Sequence, residues 1–561
     1  MSAEEDVERC GRRERPVAAL ASAALLLAVF ICAAFSACGA AIVSAAGQPE
    51  TANRALAKAG LFAVLAAVSF WGLARLAKRL ASRPPKPAAP PSPDTRATWA
   101  ALAAVLLAAA ALVLPNLDKS PRPEPDETHH LVVARNLAQY GLYASGHPDT
   151  GFIVFDDYDS VGPPVILPLA GAIRLAGNQL APARLVMAAF FLALCVAAFA
   201  FLRPVFGPQA AVAGLTLAVL APGSIYLGRS VYGEVPALLF LLTGLMLWRR
   251  ALAQKWGWAS GLAAGVAFCL AALCKYFIAM AFWPLLGALI FDRLTFRRIR
   301  WPHLVFPAAG AIASLAVYGL IRAANSPETG GPAMAQFSLY QHLVLFGLKP
   351  LASTLPRLVR CPMFVASLCL MLYTIPRLFR DTHDPPAIAL FLFVPFMLFW
   401  WLFFTKGHIM RYLWYGFACA AMYAGPAVWA ALSTAVRRGP HSALHAVVFL
   451  MICLAAARDG FPGVRQVFTD ETRGHRALAD YVCTLPPDAS IATSSWPLQR
   501  LLNFMAGRNV TILRHAPENA DAFDVVLAEG PAQRALFGGR APEAEFGRFA
   551  VYLNKEQQPG P

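Results

Sequence analysis

The sequence predicts a polytopic α-helical membrane protein with a small α/β domain at its C-terminal end. Of its 561 residues, 58% are hydrophobic and only 14% are charged, whereas soluble proteins carry about 25% charged residues. The hydrophobic residues form long runs, and the basic residues cluster in the short connections between them, as is typical of membrane proteins. The net charge of +16 therefore reflects membrane topology, and we expect no nucleic-acid partner.

Some segments are apolar enough to cross a bilayer, which takes about 20 residues per helix, and we count about 13 of them. The segment 162–178 is also apolar, but three prolines and Arg174 interrupt it, and we expect it to lie along the membrane surface. The predicted spans are 17–45, 57–77, 98–115, 182–201, 210–227, 233–248, 257–273, 276–291, 303–321, 361–376, 386–404, 412–432 and 441–457.

The basic connections orient the chain in the inner or plasma membrane. They fall on one side when the predicted spans alternate, and the positive-inside rule places that side in the cytoplasm. The opposite, extracytoplasmic side receives the first outer loop 116–181, the turns near 228–232, 274–275 and 405–411, loop 322–360 and the C-terminal region.

Composition divides the chain into three predicted regions. Residues 1–97 contain a cytoplasmic tail, two additional helices and a Pro-rich basic linker typical of extended chain. Residues 98–457 are predicted to form the main transmembrane domain, which contains the first outer loop 116–181. Residues 458–561 are more polar, and they predict an extracytoplasmic α/β domain. In it, short apolar runs (Ser490–Thr493, Val510–Leu513, Asp524–Leu527) alternate with helical patterns near 472–484 and 496–506.

The most informative motif is Asp126-Glu127, which follows the span 98–115 within about a dozen residues. Carboxylates are costly near the bilayer interior, so an acidic pair beside it indicates chemistry at the membrane face. Asp126 and His130 are four residues apart and would share one face of a helix that begins here. The structural alternative is that Asp126 or Thr128 only caps this helix.

Further polar residues occur in turns on the same predicted side of the membrane. Each alone could be an interfacial anchor. Together they would suit a lipid-linked sugar phosphate, because cations stabilise a departing phosphate and a carboxylate accepts the proton of an acceptor hydroxyl. These residues are Arg229, Glu234, Lys275, Lys406, Arg411 and Tyr412.

A divalent metal is an open alternative at this site, and no other cofactor is predicted. His129 and His130 could ligate a metal together with a carboxylate. Adjacent residues point in different directions on a helix, so at most one of the two would face the site.

The chain resembles the GT-C superfamily of membrane glycosyltransferases. It looks most like the branch with the protein O-mannosyltransferases of glycosyltransferase family 39 and the aminoarabinose transferases of lipid A. The resemblance covers 98–460 at low density and is most specific at Asp126-Glu127. Its other residues are His130, Ala134, Arg135, Leu137, Gly141-Leu142-Tyr143, Gly162-Pro163-Pro164, Leu167-Pro168, Gly177, Arg184-Leu185, Arg229, Glu234 to Leu238, Lys275 and Arg411-Tyr412-Leu413.

The resemblance implies that the protein moves a sugar from a polyprenyl-phosphate donor to an acceptor outside the cytoplasm, with inversion at the anomeric carbon. It implies Asp126 as general base, Glu127 as an acceptor-binding or site-organising residue and Glu234 as the second acid. The family often has aspartate at the place of Glu234, and the two leading helices have no clear counterpart. The candidate substrate-binding residues are His130, Arg135, Arg229, Lys275, Lys406, Arg411 and Tyr412.

Two other functions fit a polytopic membrane protein. A transporter or flippase for lipid-linked sugars would carry internal repeats and polar groups at the membrane midplane, whereas this chain keeps its charges at the ends of its spans. A non-catalytic scaffold for envelope assembly would not depend on Asp126. The residues do not specify the sugar, nor whether the acceptor is lipid, glycan or protein, although an Ala- and Arg-rich composition favours a bacterial undecaprenyl or decaprenyl carrier.

Overall fold

The computed structural model describes the chain from residue 95 onward, with gaps. The predicted spans 17–45 and 57–77, nearly all of 441–457, and Lys406 lie outside the described residues. Those described are 95–149, 151–155, 161–254, 257–295, 299–325, 361–375, 377–382, 384–404, 410–438, 455, 458–513, 520–535 and 540–554.

Helices make up most of the described chain up to residue 438. The longest are those that the hydrophobic runs predict. In chain order they are α1 (Arg96–Val113), α2 (Pro125–Tyr140), α3 (Pro163–Ala176), α4 (Leu180–Phe206), α5 (Pro208–Leu220), α6 (Ser224–Leu227), α7 (Glu234–Ala253), α8 (Trp258–Cys274), α9 (Phe282–Thr295), α10 (Pro302–Asn325), α11 (Pro362–Met371), α12 (Pro385–Phe404) and α13 (Trp414–Arg438).

The helical membrane-type fold predicted from the sequence is confirmed. Six described helices are long and apolar enough to cross a membrane, namely α1, α4, α7, α10 and the segments Tyr276–Arg293 and Arg411–Ser433. The total of about 13 spans stays a prediction. Helix α3 has 14 residues, which corresponds to about 21 Å, less than the ~30 Å of a hydrocarbon core.

Two predicted spans are interrupted in the structure. The segment 210–227 is not one helix, because α5 ends at Leu220 and α6 begins only at Ser224. Pro222 lacks the amide hydrogen that a continuing helix needs, and Gly223 takes a positive φ of 85°. The segment 276–291 begins as a 3₁₀ helix, Tyr276–Ala281, before it becomes α9. Both interruptions lie next to turns that carry candidate site residues.

The C-terminal part forms a five-stranded mixed sheet with helices, as its sequence predicts. Strand order is β4-β3-β5-β7-β6; β3 is parallel to β4 and β5, and β7 is antiparallel to β5 and β6. The three predicted strands and both predicted helices are confirmed, and β6 and β7 were not predicted. The elements are α14 (Arg473–Thr484), β3 (Ile491–Thr493), α15 (Trp496–Met505), β4 (Val510–Ile512), β5 (Val525–Glu529), α16 (Gly530–Arg534), β6 (Ala544–Phe546) and β7 (Phe549–Leu553), while β1 (Ala144–His147) and β2 (Gly151–Val154) form a separate hairpin after α2.

Candidate active site

Helix α2 starts directly at the acidic motif. Pro125 occupies its first turn, where a missing amide hydrogen has no cost, and Glu124 is the N-cap without a side-chain capping hydrogen bond. The hydroxyl of Thr128 donates to the carbonyl of Pro125 at 2.9 Å. The alternative that Asp126 or Thr128 caps the helix is therefore wrong. Asp126 and Glu127 keep the favourable interaction of carboxylates with a helix N-terminus, but their side chains have other partners.

Glu127 is held by a buried ion pair. Its two carboxylate oxygens accept hydrogen bonds from Nε and Nη2 of Arg184, each at 2.9 Å, and both side chains are fully buried. Oε1 of Glu127 also accepts from the amide of Val231 at 3.1 Å, and Nη1 of Arg184 donates to the carbonyl of Leu117 at 2.9 Å. This bidentate pair fixes α2 against the start of α4 and against the turn before α7.

Asp126 faces a cluster of charged side chains from three other turns. Its carboxylate contacts Nη2 of Arg411. The fully buried Glu234, at the start of α7, lies 3.9 Å from both Nε of Arg411 and Nζ of Lys275. Turns that the sequence predicts to lie on one side of the membrane thus meet around Asp126.

The charges of this cluster keep Asp126 ionised. Burial raises the pKa of its carboxyl, but the positive charges of Arg411 and Lys275, together with the hydrogen bond from Arg411, outweigh that effect and lower the pKa below its ordinary value. A carboxylate that is ionised at neutral pH can accept a proton.

His130 lies one turn after Asp126, as the four-residue spacing predicts. It is buried, and its Nδ1 lies 2.9 Å from the carbonyl of Val231. Because a carbonyl only accepts, Nδ1 carries the proton. Burial and the charge of Lys275 lower the pKa of His130 to about 4. The imidazole is therefore neutral at pH 7 and contributes no charge to the cluster.

Glu124 and Tyr232 are site residues that the sequence analysis missed. The hydroxyl of Tyr232 donates to Oε2 of Glu124 at 2.8 Å, and the same oxygen lies 3.8 Å from Nη1 of Arg411. The guanidinium of Arg411 also stands over the ring of Tyr232, 4.7 Å from its centroid. The spacing of Glu124 and Asp126 on either side of Pro125 was the available signal.

The other candidates have partners of a different kind. Arg229 donates to the carbonyls of Leu112, Asn116 and Ser120 at 2.8–3.2 Å, so it joins its turn to the end of α1. Tyr412 stacks in a tilted geometry on Phe277, with ring centroids 4.5 Å apart. Substrate contact by Arg229 and Tyr412 stays a prediction.

Arg135 joins α2 to the C-terminal helix α15. It is buried, and it donates to Oδ1 of Asn136 at 2.8 and 3.1 Å and to the carbonyl of Asn503. A role in substrate binding stays a prediction for Arg135, and the observed role is a contact between elements.

Helix α15 lies along α2 with both N-termini at the same end. At that end, Ser495 contacts Glu529, which pairs at 3.1 Å with Arg122, three residues before α2. In the middle, Asn503 meets Arg135 as described above. At the far end, the carbonyl of Gly507 lies 3.3 Å from Nε2 of His147, beyond the C-terminus of α2. The C-terminal sheet region is thereby attached at three levels along the direction of the helix that carries Asp126.

Among the described residues, no group of three or more His, Cys, Asp or Glu side chains is arranged to hold a metal ion. An apolar cavity of about 750 Å³ lies between α1, α5 and α13, lined by residues such as Leu217, Leu220 and Trp429. None of the charged cluster residues lines this cavity. The chemistry that the structure supports is therefore at the cluster around Asp126.

Part of the chain matches a protein-family model. Residues 161–318 match the family model described as dolichyl-phosphate-mannose-protein mannosyltransferase. That range contains Arg184, Glu234 and Lys275, but neither Asp126 nor Arg411. No curated protein matches the chain in sequence.

The fold is similar to solved structures of low sequence identity. The structure of ArnT from Cupriavidus metallidurans bound to undecaprenyl phosphate has a TM-score of 0.57 and 15% identity, covering 83% of this chain and 100% of that one. The apo state of ArnT gives 0.55 with the same identity and coverage. The archaeal oligosaccharyltransferase AglB from Archaeoglobus fulgidus, in complex with an inhibitory peptide and a dolichol-phosphate, has a TM-score of 0.50 and 13% identity over 77% of this chain and 69% of that one.

Proposed function

We propose that this chain, part of which matches the mannosyltransferase family model and whose fold is similar to that of ArnT and AglB, is a GT-C membrane glycosyltransferase that transfers a sugar from a polyprenyl-phosphate donor to an acceptor hydroxyl, with Asp126 as general base. The observation that carries the proposal is the convergence of Asp126, Glu234, Lys275 and Arg411 from four separate turns. The related structures of ArnT and AglB hold undecaprenyl phosphate and a dolichol-phosphate, which supports a donor of this class.

Lys275 and Arg411 are the residues suited to the donor phosphate. Glu234 is fully buried 3.9 Å from both, and neither of its carboxylate oxygens has a hydrogen-bond partner among the described residues. At 3.9 Å the carboxylate of Glu234 attracts both cations but forms no hydrogen bond with either. It therefore holds the two cations in place without occupying their N–H groups. We assign Glu234 to positioning of Lys275 and Arg411 and not to proton transfer.

The reaction follows from this arrangement. The donor phosphate binds Lys275 and Arg411, and Arg411 shifts from Asp126 to the phosphate. Asp126 takes the proton of the acceptor hydroxyl. At the same time the oxygen of that hydroxyl attacks the anomeric carbon from the face opposite the phosphate. The bond between the anomeric carbon and the phosphate oxygen breaks, and the phosphate keeps the electron pair. The two cations stabilise that developing charge, and the attack from the opposite face inverts the anomeric carbon.

Glu127 and the C-terminal sheet region complete the proposal. The buried pair with Arg184 supports Glu127 as the residue that organises the site, with no contact to substrate. We place the charged cluster and the α/β domain on the extracytoplasmic side of the inner membrane, in accordance with the distribution of basic connections.

The test compares sugar transfer in membranes that contain the wild type, Asp126→Asn or Asp488→Asn. Asp488 is an exposed residue of the C-terminal region and provides a control with the same chemical change. Labelled polyprenyl-phosphate sugars are supplied, and label is followed into lipid, glycan and protein. We expect transfer by the wild type and by Asp488→Asn, and a loss of at least about a hundredfold in Asp126→Asn.

Equal transfer by all three variants at equal protein level would remove Asp126 as the base. Absence of transfer in the wild type with every donor would favour a flippase or an envelope-assembly role. The fraction that takes up the label identifies the acceptor class.

A further inference from the structure

Arg500 is a half-buried cation of the C-terminal region, on the helix that packs against α2. It lies on α15, one turn before Asn503, which meets Arg135 in the middle of α2. Helices α15 and α2 have their N-termini at the same end. A residue one turn before Asn503 on α15 therefore lies closer to the N-terminal end of α2, where Asp126 is located. Asp126 itself is nine residues before Arg135, about 13 Å along the helix, and a long arginine side chain covers much of the remaining distance.

The guanidinium of Arg500 is held in place by an aromatic ring. Its Cζ stands 3.7 Å above the ring centroid of Trp496, which is one turn earlier on α15. An arginine stacked on tryptophan is fixed in orientation, and its nitrogens remain available to hydrogen-bond acceptors in the guanidinium plane.

At least one N–H group of Arg500 has no hydrogen-bond acceptor in the described part of the protein. Its Nη1 is buried and makes no hydrogen bond within the described part of the chain. Arg508, in the same region, behaves as a structural arginine does, since it donates to the carbonyls of Leu485, Pro486 and Ala489 at 2.6–3.2 Å. A buried donor without a partner is costly, so a ligand with an anionic oxygen would satisfy it.

The charged side chains around Asp126 carry no net positive charge. Asp126 and Glu234 balance Lys275 and Arg411, His130 is neutral at pH 7, and Glu124 adds a further negative charge 3.8 Å from Arg411. The two cations that we propose for the donor phosphate are therefore outnumbered by carboxylates, and a further cation would strengthen binding of an anionic substrate. Burial lowers the pKa of Arg500 to about 10, and the negative charge of Asp126 opposes this effect. Arg500 is therefore positively charged at neutral pH, and its charge interacts with that of Asp126.

We propose that Arg500, held on Trp496, binds an anionic oxygen of a substrate, phosphate or carboxylate, next to Asp126. The C-terminal region thereby supplies the active site with its third cation and acts in substrate specificity. This inference rests on the proposed function for the identity of the reaction, but binding of an anion at Arg500 does not depend on transfer. The anion belongs either to the donor lipid or to the acceptor, and two measurements distinguish these sources.

The first measurement is the affinity of the purified full-length protein for undecaprenyl phosphate, with uncharged undecaprenol as the reference lipid. The variants are Arg500→Gln, Arg500→Lys and, as a matched control, Arg473→Gln, an exposed arginine on α14. Thermal unfolding of each variant establishes that it is folded. If the donor phosphate binds Arg500, Arg500→Gln lowers the affinity for undecaprenyl phosphate by about tenfold or more, as expected for a charge-assisted hydrogen bond, and leaves undecaprenol unaffected.

The second measurement is the initial rate of sugar transfer with increasing amounts of acceptor membranes. If the acceptor carries the anion, Arg500→Gln raises the acceptor concentration for half-maximal rate by about tenfold and leaves the affinity for undecaprenyl phosphate unchanged. Arg500→Lys restores part of the loss in either case, because it keeps the charge and loses the planar donor geometry.

Unchanged affinity and unchanged acceptor dependence in folded Arg500→Gln would overturn the proposal. A loss of the same size in Arg473→Gln would also overturn it, since a general effect of positive charge would then explain the result. If the wild type transfers no sugar, the proposed function fails, and the affinity measurement alone decides the role of Arg500.

Discussion

At the scale of the residue, two adjacent carboxylates have different environments. Asp126 is partly exposed and contacts Arg411, whereas Glu127 is fully buried in a bidentate pair with Arg184. Neighbouring residues on a helix point about 100° apart, so one side chain faces the charged cluster and the other faces α4. The motif combines the group that we propose as the base with the group that fixes its helix.

The pH dependence of transfer should report the environment of Asp126. A lowered pKa means that the carboxylate persists as pH falls and is lost only below its ordinary value of 3.8. We expect the acid limb of kcat/KM to move to higher pH in Arg411→Gln, because burial of Asp126 is then opposed by fewer positive charges. The measurement is the pH–rate profile of the residual activity, with Arg473→Gln as control. An acid limb at the same pH in wild type and Arg411→Gln would contradict this assignment.

Glu127 and Arg184 should affect stability more than chemistry. Removing one partner leaves the other charge buried, at a cost of about 3–5 kcal/mol. We expect Glu127→Gln to lower the unfolding temperature of the purified protein strongly and Asp126→Asn to leave it nearly unchanged. Glu545→Gln, which breaks the exposed 2.7 Å pair with Arg534, should cost at most about 1 kcal/mol. Equal unfolding temperatures for Glu127→Gln and wild type would show that the pair is not required for folding.

The sequence was sufficient to select the cluster but not to separate reactive from structural residues. Alternation of spans and basic connections placed Asp126, Glu234, Lys275 and Arg411 on one side, and the structure brings them together. Arg229 also lies in a turn on the same predicted side, yet it donates to backbone carbonyls. The sequence does not distinguish an arginine that donates to backbone carbonyls from one whose donors are available to a ligand, because the carbonyls belong to residues distant along the chain.

At the scale of the element, the ends of helices set the position of the site. Hydropathy predicted the described spans because burial of apolar runs is a local property. It did not predict the 3₁₀ start at Tyr276 or the break at Gly223, which follow from packing and from single residues. Helix α2 ends at Gly141, whose φ of 70° is left-handed and suits glycine best.

Two glycine substitutions test this description. A Cβ at Gly141 or at Gly171, within α3, meets no atom within 4 Å, so only backbone preference differs between them. We expect Gly141→Ala to destabilise the protein by about 1–2 kcal/mol and Gly171→Ala to stabilise it by about 0.5–1 kcal/mol. The measurement is thermal unfolding of both variants. The same sign of change in both would contradict the left-handed end of α2.

At the scale of the whole molecule, the helical part and the C-terminal region form one packed unit around α2. Phe504 of α15 belongs to the main hydrophobic core of the helices, and the sheet has a second core of its own around Leu478, Leu502 and Val551. The sequence predicted the strands and helices of this region from their local patterns. It could not predict the attachment of α15 to α2, because the partners are more than 300 residues apart.

The proposed orientation predicts which cysteines an impermeant reagent can reach. Cys483, at the end of α14, is exposed and lies on the proposed outer side. We expect a membrane-impermeant maleimide to label it in intact cells and to label Cys483→Ser far less. In the Cys483→Ser background, Arg250→Cys, at the exposed end of α7 that we propose to be cytoplasmic, should react only after permeabilisation. Labelling of Arg250→Cys in intact cells would reverse the orientation.

The attachment of α15 to α2 also makes the protein open to inhibition from a distance. An antibody fragment that binds the sheet and tilts it by a small angle would move α15 with it, and the carboxylate of Asp126 would shift relative to Lys275 and Arg411. Since a misplacement of about 1 Å can cost a hundredfold in rate, such a binder would act as a noncompetitive inhibitor. It would not need to enter the bilayer or to resemble a sugar.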